Sequence, residues 1–135
     1  MSGAGGVERD PAHDAPHLPH PAPIESYGNG GFRFAGMSHR GSLLCLPHGI
    51  WASPVKRAAD ITEGALDLVL TQAATIDHLL IGAGRDPWAV PPALRARLRL
   101  SGLTVEAMST GVAISTYNIL LGEGRRVAAL LVAVA

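Results

Sequence analysis

The sequence predicts an α/β domain built on a mixed β-sheet covered by helices, and three observations lead there. From about residue 60 onward, stretches with helical apolar spacing alternate with short runs of strand length, a pattern that lays helices over a sheet. The runs 42–46 and 127–134 are almost unbroken in apolar side chains, as strands covered on both faces are, and 76–81 ends in three more. Before Pro47 the chain reads instead as a β-meander of short pieces joined by glycine turns, which adds antiparallel neighbours to any parallel pairs formed later.

Residues 1–22 are rich in Pro, His and Ala and lack any apolar period, so a disordered tail is expected there, followed by a single domain over 23–135. His13, His17 and His20 have metal-like spacing, but Pro16, Pro19 and Pro21 bar the helix that would align them, and no metal site is expected. Ile24 to Tyr27 alternates apolar and polar, Gly28-Asn29-Gly30-Gly31 turns the chain, and Phe32-Arg33-Phe34 alternates again. Another turn is expected over 36–40, a strand over 42–46, and an irregular segment over 49–55 with Trp51 lidding the core.

Asp60 followed by Glu63 has the spacing of a capping box, and Leu66, Val69, Leu70 and Ala73 make one stripe, so a first helix is expected to start at Asp60. A buried strand over 76–81 leads into Gly82-Ala83-Gly84-Arg85. Pro91-Pro92 then opens a helix that packs Leu94 and Leu98 inward and closes at Gly102. After a strand over 103–108, Ser109 or Thr110 caps the last helix, and a closing strand is expected over 127–134.

Composition excludes several function classes. Eleven basic and eleven acidic side chains balance, which argues against a general nucleic-acid binder. No stretch reaches the roughly 20 apolar residues of a membrane span, so a cytoplasmic protein is expected, peripheral to the inner membrane at most through a partner. The single cysteine, Cys45, sits in an apolar run and reads as a buried structural thiol. There is no triad, zinc spacing or P-loop, and no cofactor is called for. Gly82-Ala83-Gly84 begins a dinucleotide fingerprint that fails at its third glycine, where Pro87 stands.

The last helix carries the candidate residues. Ala113, Ile114, Tyr117, Leu120 and Leu121 share a core face, while Val112 and Ile119 fall nearly opposite and call for cover by a partner chain or a second copy. Gly111, Ser115, Asn118 and Gly122 run between, small or polar: either they let another backbone or a ligand come close, or the glycines merely cap the helix and Asn118 bonds a nearby loop. At the helix end Glu123 is paired in expectation with Arg125 or Arg126. If the loops after Ile81 and Met108 meet at one sheet edge, Gly82, Gly84, Arg85, Thr110, Asn118, Glu123 and Arg125 would line a pocket for a small anionic ligand or nucleotide.

Ile24-Glu25-Ser26-Tyr27-Gly28, Gly41-Ser42, Leu46-Pro47, Leu80-Ile81-Gly82-Ala83-Gly84, Met108-Ser109-Thr110 and the block from Thr116 to Ala129 together resemble a small uncharacterised domain family. That family includes the mitochondrial assembly factor 3 of respiratory complex I. The resemblance implies a three-layer α/β domain, no established enzymatic activity, and protein partners among respiratory subunits or assembly factors. Its pattern positions fall on Gly82, Gly84, Thr110, Tyr117, Asn118, Glu123 and Arg125. Where many members carry Ala-Cys in the last helix, this chain has Ala113 followed by Ile114 and Ser115. The leading expectation is a non-enzymatic assembly module with a protein partner or a homodimer; a small-ligand site is the alternative.

Overall fold

The structure, a computed structural model, describes residues 15–135. Two sheets form. The smaller is an antiparallel meander of β1 (Ile24–Gly28), β2 (Gly31–Phe34) and β3 (Met37–Arg40). The central sheet holds β4 (Ser42–Leu46), β5 (Gly49–Ser53), β6 (His78–Gly82), β7 (Thr104–Met108) and β8 (Val127–Leu131), in the order β5-β4-β8-β6-β7. It is mixed as expected: β8 runs antiparallel to β4 and parallel to β6, and β6 is parallel to β7.

Among the described residues three α-helices accompany them, α1 (Asp67–Thr71), α2 (Pro92–Leu100) and α3 (Thr110–Gly122). From β6 the chain crosses through α2 to β7, then returns through α3 past β6 to β8. Right-handed crossovers in opposite directions put the two helices on opposite faces. The core divides accordingly. Ala128 and Leu130 of β8 pack with Leu94 and Leu98 of α2, whereas Val127, Ala129 and Leu131 pack with Ala113, Ile114 and Tyr117 of α3. The small sheet lies on the α3 side, where Phe32 and Phe34 cover Leu43, Cys45 and Ile50, and this completes three layers.

Several local expectations fail, each for a visible reason. Residues 37–40 are a strand rather than a turn; their mostly exposed side chains belong to an edge and show no burial period. Residues 49–53 pair fully with β4 instead of staying irregular, and Trp51 is buried in the core. The helix expected from Asp60 does not start there. Asp60 Oδ2 accepts the amides of Lys56 and Arg57, at 3.1 and 3.3 Å, so its side chain folds back on the preceding turn. The segment then passes through 3-10 turns at 58–60 and 64–66 into the five-residue α1, although Leu66 and Val69 are buried as the stripe required. The closing strand stops at Leu131, with the Val132 amide still bonded to Gly82 O at 2.8 Å.

Residues 1–14 of the expected tail lie outside the described residues. The rest of it is not detached from the domain: Leu18 bridges Ile50 through amide–carbonyl bonds in both directions, and Ala22 is buried. Among the described residues, no helix is long and apolar enough to cross a membrane.

Candidate functional site

The carboxyl ends of β6 and β7 are where a ligand crevice would open in a sheet of this kind, because the chain leaves these neighbours toward opposite faces. Here the gap is closed by hydrogen bonds. Ala83 N donates to Met108 O (2.8 Å), Thr110 N to Gly84 O (2.9 Å), and Gly84 N to Thr110 Oγ1 (3.0 Å). That hydroxyl in turn donates to Val132 O at 2.7 Å. Thr110 is fully buried, so one side chain joins the start of α3 to the ends of β6 and β8. Gly82 is needed for closeness: a Cβ there would lie 3.0 Å from both Thr110 Cα and Ala113 Cβ, and 3.1 Å from Leu131 Cδ2. Ser109 Oγ caps the helix through the Val112 amide at 3.4 Å.

Tyr117 and Asn118 fasten the incoming chain. The Tyr117 side chain is fully buried beside Cys45, and its hydroxyl donates to Ala22 O at 3.4 Å. Burial pushes the Cys45 thiol up to about 12 and raises the Tyr117 hydroxyl as well, so both keep their protons at neutral pH. Asn118 Oδ1 accepts the Ile24 amide at 2.8 Å, and its Nδ2 donates to the Ile24 carbonyl at 2.9 Å. The amide side chain thus pairs with the backbone of β1 as a neighbouring strand would.

Glu123 and Arg125 sit at the other end of α3, about 20 Å along the axis from Thr110 at 1.5 Å per residue. Their side chains meet at 3.9 Å, each about half exposed. The pair is a solvated one. Arg126 turns elsewhere, donating to both carboxylate oxygens of Asp77 at 2.7 and 3.2 Å and holding that carboxyl below its usual range. The pocket expected to join Gly82, Gly84, Thr110 and Asn118 with Glu123 and Arg125 is not formed, since the helix length separates its halves.

Arg85 lines a hollow of about 410 Å³ with Gly84, Lys56, Arg57, Trp88 and Val132, and it donates to Ala135 O. Two arginines of α2 are engaged away from this hollow. Arg95 bonds Val105 O at 3.4 Å, and Arg97 meets Glu63 at 3.5 Å and Ser101 Oγ at 2.7 Å.

Sequence reasoning passed over two features. Ser42, inside an apolar run, is buried and accepts the Ala133 amide at 3.0 Å; nothing in its neighbours signals that role. The second is a hollow of about 400 Å³ over the small sheet, lined by Tyr27, Asn29, Arg33, Ser38, His39 and Arg40 among others. Its signal was the Gly28-Asn29-Gly30-Gly31 run, which bares the sheet at that end. Burial and then the neighbouring His17 lower the pKa of His39, which favours its neutral form.

Comparison with known proteins bears on this geometry. The profile of a family described as "Protein of unknown function (DUF498/DUF598)" matches residues 24–132, from β1 to just past β8. An uncharacterized protein of Rhodobacter capsulatus is 41% identical over 109 residues, covering 81% of this chain and 82% of the relative. NADH dehydrogenase (ubiquinone) 1 alpha subcomplex assembly factor 3 of Mus musculus is 30% identical over 109 residues, covering 81% of this chain and 59% of that protein. The chain thus spans about three fifths of the length of that assembly factor. Among solved structures, one described as an outer membrane protein from Bartonella henselae superposes with a TM-score of 0.85 at 46% identity, over 88% of this chain and 100% of that one.

Proposed function

The chain belongs to the DUF498/DUF598 family of proteins of unknown function, and from that premise we propose that it is a non-enzymatic interaction module that supports assembly of respiratory complex I or a related membrane complex. The observation that carries this reading is how the polar and apolar groups of α3 are distributed. Thr110, Tyr117 and Asn118 are engaged inside the domain, while Val112 and Ile119, two turns apart on the outer face, are 55% and 61% exposed. A helix that binds its polar groups inward and shows large apolar ones outward is built to be covered by another protein. The likeness to the mitochondrial assembly factor spans the same folded residues and supplies the kind of partner: respiratory subunits or other assembly factors, met in the cytoplasm and at the inner membrane through them.

Deletion in the native host tests the reading. Assembled complex I is expected to fall, with respiratory subunits enriched when the tagged chain is isolated; unchanged complex I and no such enrichment would end it.

The hollow at Arg85 favours a second reading, a small anionic ligand held by Lys56, Arg57 and Arg85. A thermal-shift panel of anionic metabolites and nucleotides decides it: a stabilisation abolished by Arg85→Ala supports a ligand site, and silence removes it.

A further inference from the structure

We propose that the hollow over the small sheet and the outer face of α3 form one recognition surface for an acidic, amphipathic segment of the partner protein. This rests on the interaction-module reading and gives its partner a chemistry.

The hollow exists because of glycines. Gly28 pairs with Gly31 across the β1–β2 turn, and Gly31 pairs with Arg40 across β2–β3, so this end of the sheet carries almost no side chains of its own. Gly31 tolerates nothing larger, since a Cβ would lie 2.2 Å from His39 O. Longer side chains rise around the bare floor. Arg33 donates to Ser38 Oγ at 2.6 Å, and the Arg40 guanidinium reaches over the turn, 3.5 Å from where a Cβ on Gly30 would be.

Charge decides what suits the place. Among the described residues, no acidic side chain lines the hollow and no carboxylate comes within 4.0 Å of Arg33 or Arg40. In a chain of zero net charge, with Arg57, Arg97, Arg125 and Arg126 each near a carboxylate, Arg33 and Arg40, diagonal neighbours on the β2–β3 pair with no such partner among the described residues, are a local excess. Guanidinium groups match carboxylates in shape as well as charge. The walls are too polar and too open to engulf a small molecule, whose sites are mostly apolar and enclosing. They fit acidic side chains on the rim of a protein interface, which guide association and set register.

Tyr27 joins this patch to the apolar one. Its hydroxyl oxygen lies 2.2 Å from where a Cβ on Gly111 would be, so the ring crosses onto the first turn of α3, and the residue remains 49% exposed. Val112 is the next residue, and Ile119 continues its face two turns on. Cations, an aromatic ring and an aliphatic stripe therefore follow one another across the surface. A segment with Asp or Glu on one part and aliphatic side chains on the next is its complement.

Photo-crosslinking in the native host, with the full chain carrying a benzophenone amino acid at Ser38, at Val112 or at Leu100, tests the proposal. Leu100 belongs to α2 on the opposite layer and is 85% exposed, which makes it the control. The same protein should be caught from Ser38 and Val112 and not from Leu100, through a mapped segment dense in Asp and Glu. Capture should drop by about tenfold in Arg33→Glu/Arg40→Glu, whose thermal midpoint should stay close to the parent's because both side chains are exposed. Capture of a lipid or nucleic acid, of a segment without acidic residues, of a second copy, or of the chain's own residues 1–14 with Glu8, Asp10 and Asp14 overturns it, as does no capture. Complex I levels separate the two readings. If the charge-reversed chain restores them fully in a deletion strain, the surface is wrong and the assembly role stands; if deletion never lowers them, the assembly role fails on its own.

Discussion

The two ends of α3 come from one short stretch of sequence and have opposite fates. At its start, Thr110 is fully buried and its hydroxyl both accepts and donates, tying the helix to β6 and β8. At its end, Glu123 and Arg125 face water and touch at 3.9 Å. All three stood out in the sequence for the same reason, as polar residues within an apolar segment. The contrast teaches that such residues mark a fastening where the backbone needs partners and a solvated margin where it does not. A recognition surface is better sought among groups that the fold leaves unfastened.

The largest test of that contrast is Thr110→Val. The shape is kept but Gly84 N–H and Val132 C=O lose their partner, and each buried orphan costs about 1–3 kcal/mol. The thermal midpoint is expected to fall by roughly 8–20 °C, while Thr110→Ser, which keeps the hydroxyl, recovers most of the loss. A midpoint within two or three degrees of the parent would mean the junction is not the fastening its geometry indicates. Gly82→Ala probes the same junction by volume: the added methyl forces Ala113, Thr110 and Leu131 apart, at a cost of about 1–3 kcal/mol in calorimetry.

Next in size is Asn118→Ala, which acts midway along the helix. Two bonds to the Ile24 backbone vanish, for a loss of about 1–3 kcal/mol in denaturant unfolding. The loss should also be local. Hydrogen exchange at Ile24 is expected to quicken well before exchange at Leu130 in the central sheet changes. Equal acceleration at both would show that the small sheet and the central sheet open as one unit.

How far the sequence anticipated these roles follows from the same physics. The mixed sheet, α2, α3 and the buried stripes were legible because burial imposes a period: Leu94 and Leu98, or Ala113, Ile114 and Tyr117, recur at helical spacing. Strand β3 was not, because Met37 to Arg40 is an edge with little burial to show. Asp60 and Glu63 misled, since an acidic side chain can cap the turn behind it as readily as the helix ahead, and only the fold chooses. For the candidate residues, sequence identified Thr110, Tyr117 and Asn118 as special but left open whether each would bond within the domain or meet a ligand or partner. The Arg33 and Arg40 hollow was hidden because its two cations come together only through the β2–β3 pairing.

A smaller effect comes from the ion pair just past the helix. Asp77 is held below the ordinary carboxylate range first by its hydrogen bond from Arg126. A depressed folded-state pKa means that the pair's contribution is complete above the ordinary aspartate value of about 3.9 and disappears as pH drops through the lower, folded one. Arg126→Gln should therefore differ from the parent by the same margin from pH 5 to pH 8, and the two stability curves should converge only in stronger acid. Convergence already near pH 6 would assign the difference to another group.

The smallest expected effect is at the solvated end itself. Glu123 and Arg125 are about half exposed, and a pair 3.9 Å apart in water gains little from attraction, because solvent screens it and holding two long side chains together costs entropy. Glu123→Ala and Arg125→Ala should each stay within about 0.5 kcal/mol of the parent, and the double variant should equal their sum within about 0.3 kcal/mol. Gly124, not the charges, closes this end: its φ of +76° is the left-handed conformation, and its amide bonds Leu121 O at 3.0 Å. Gly124→Ala should thus destabilise more than either charge removal, by about 1 kcal/mol. A double-variant coupling above about 1 kcal/mol would give this end a fastening role like Thr110's, and the contrast between the two ends would no longer hold.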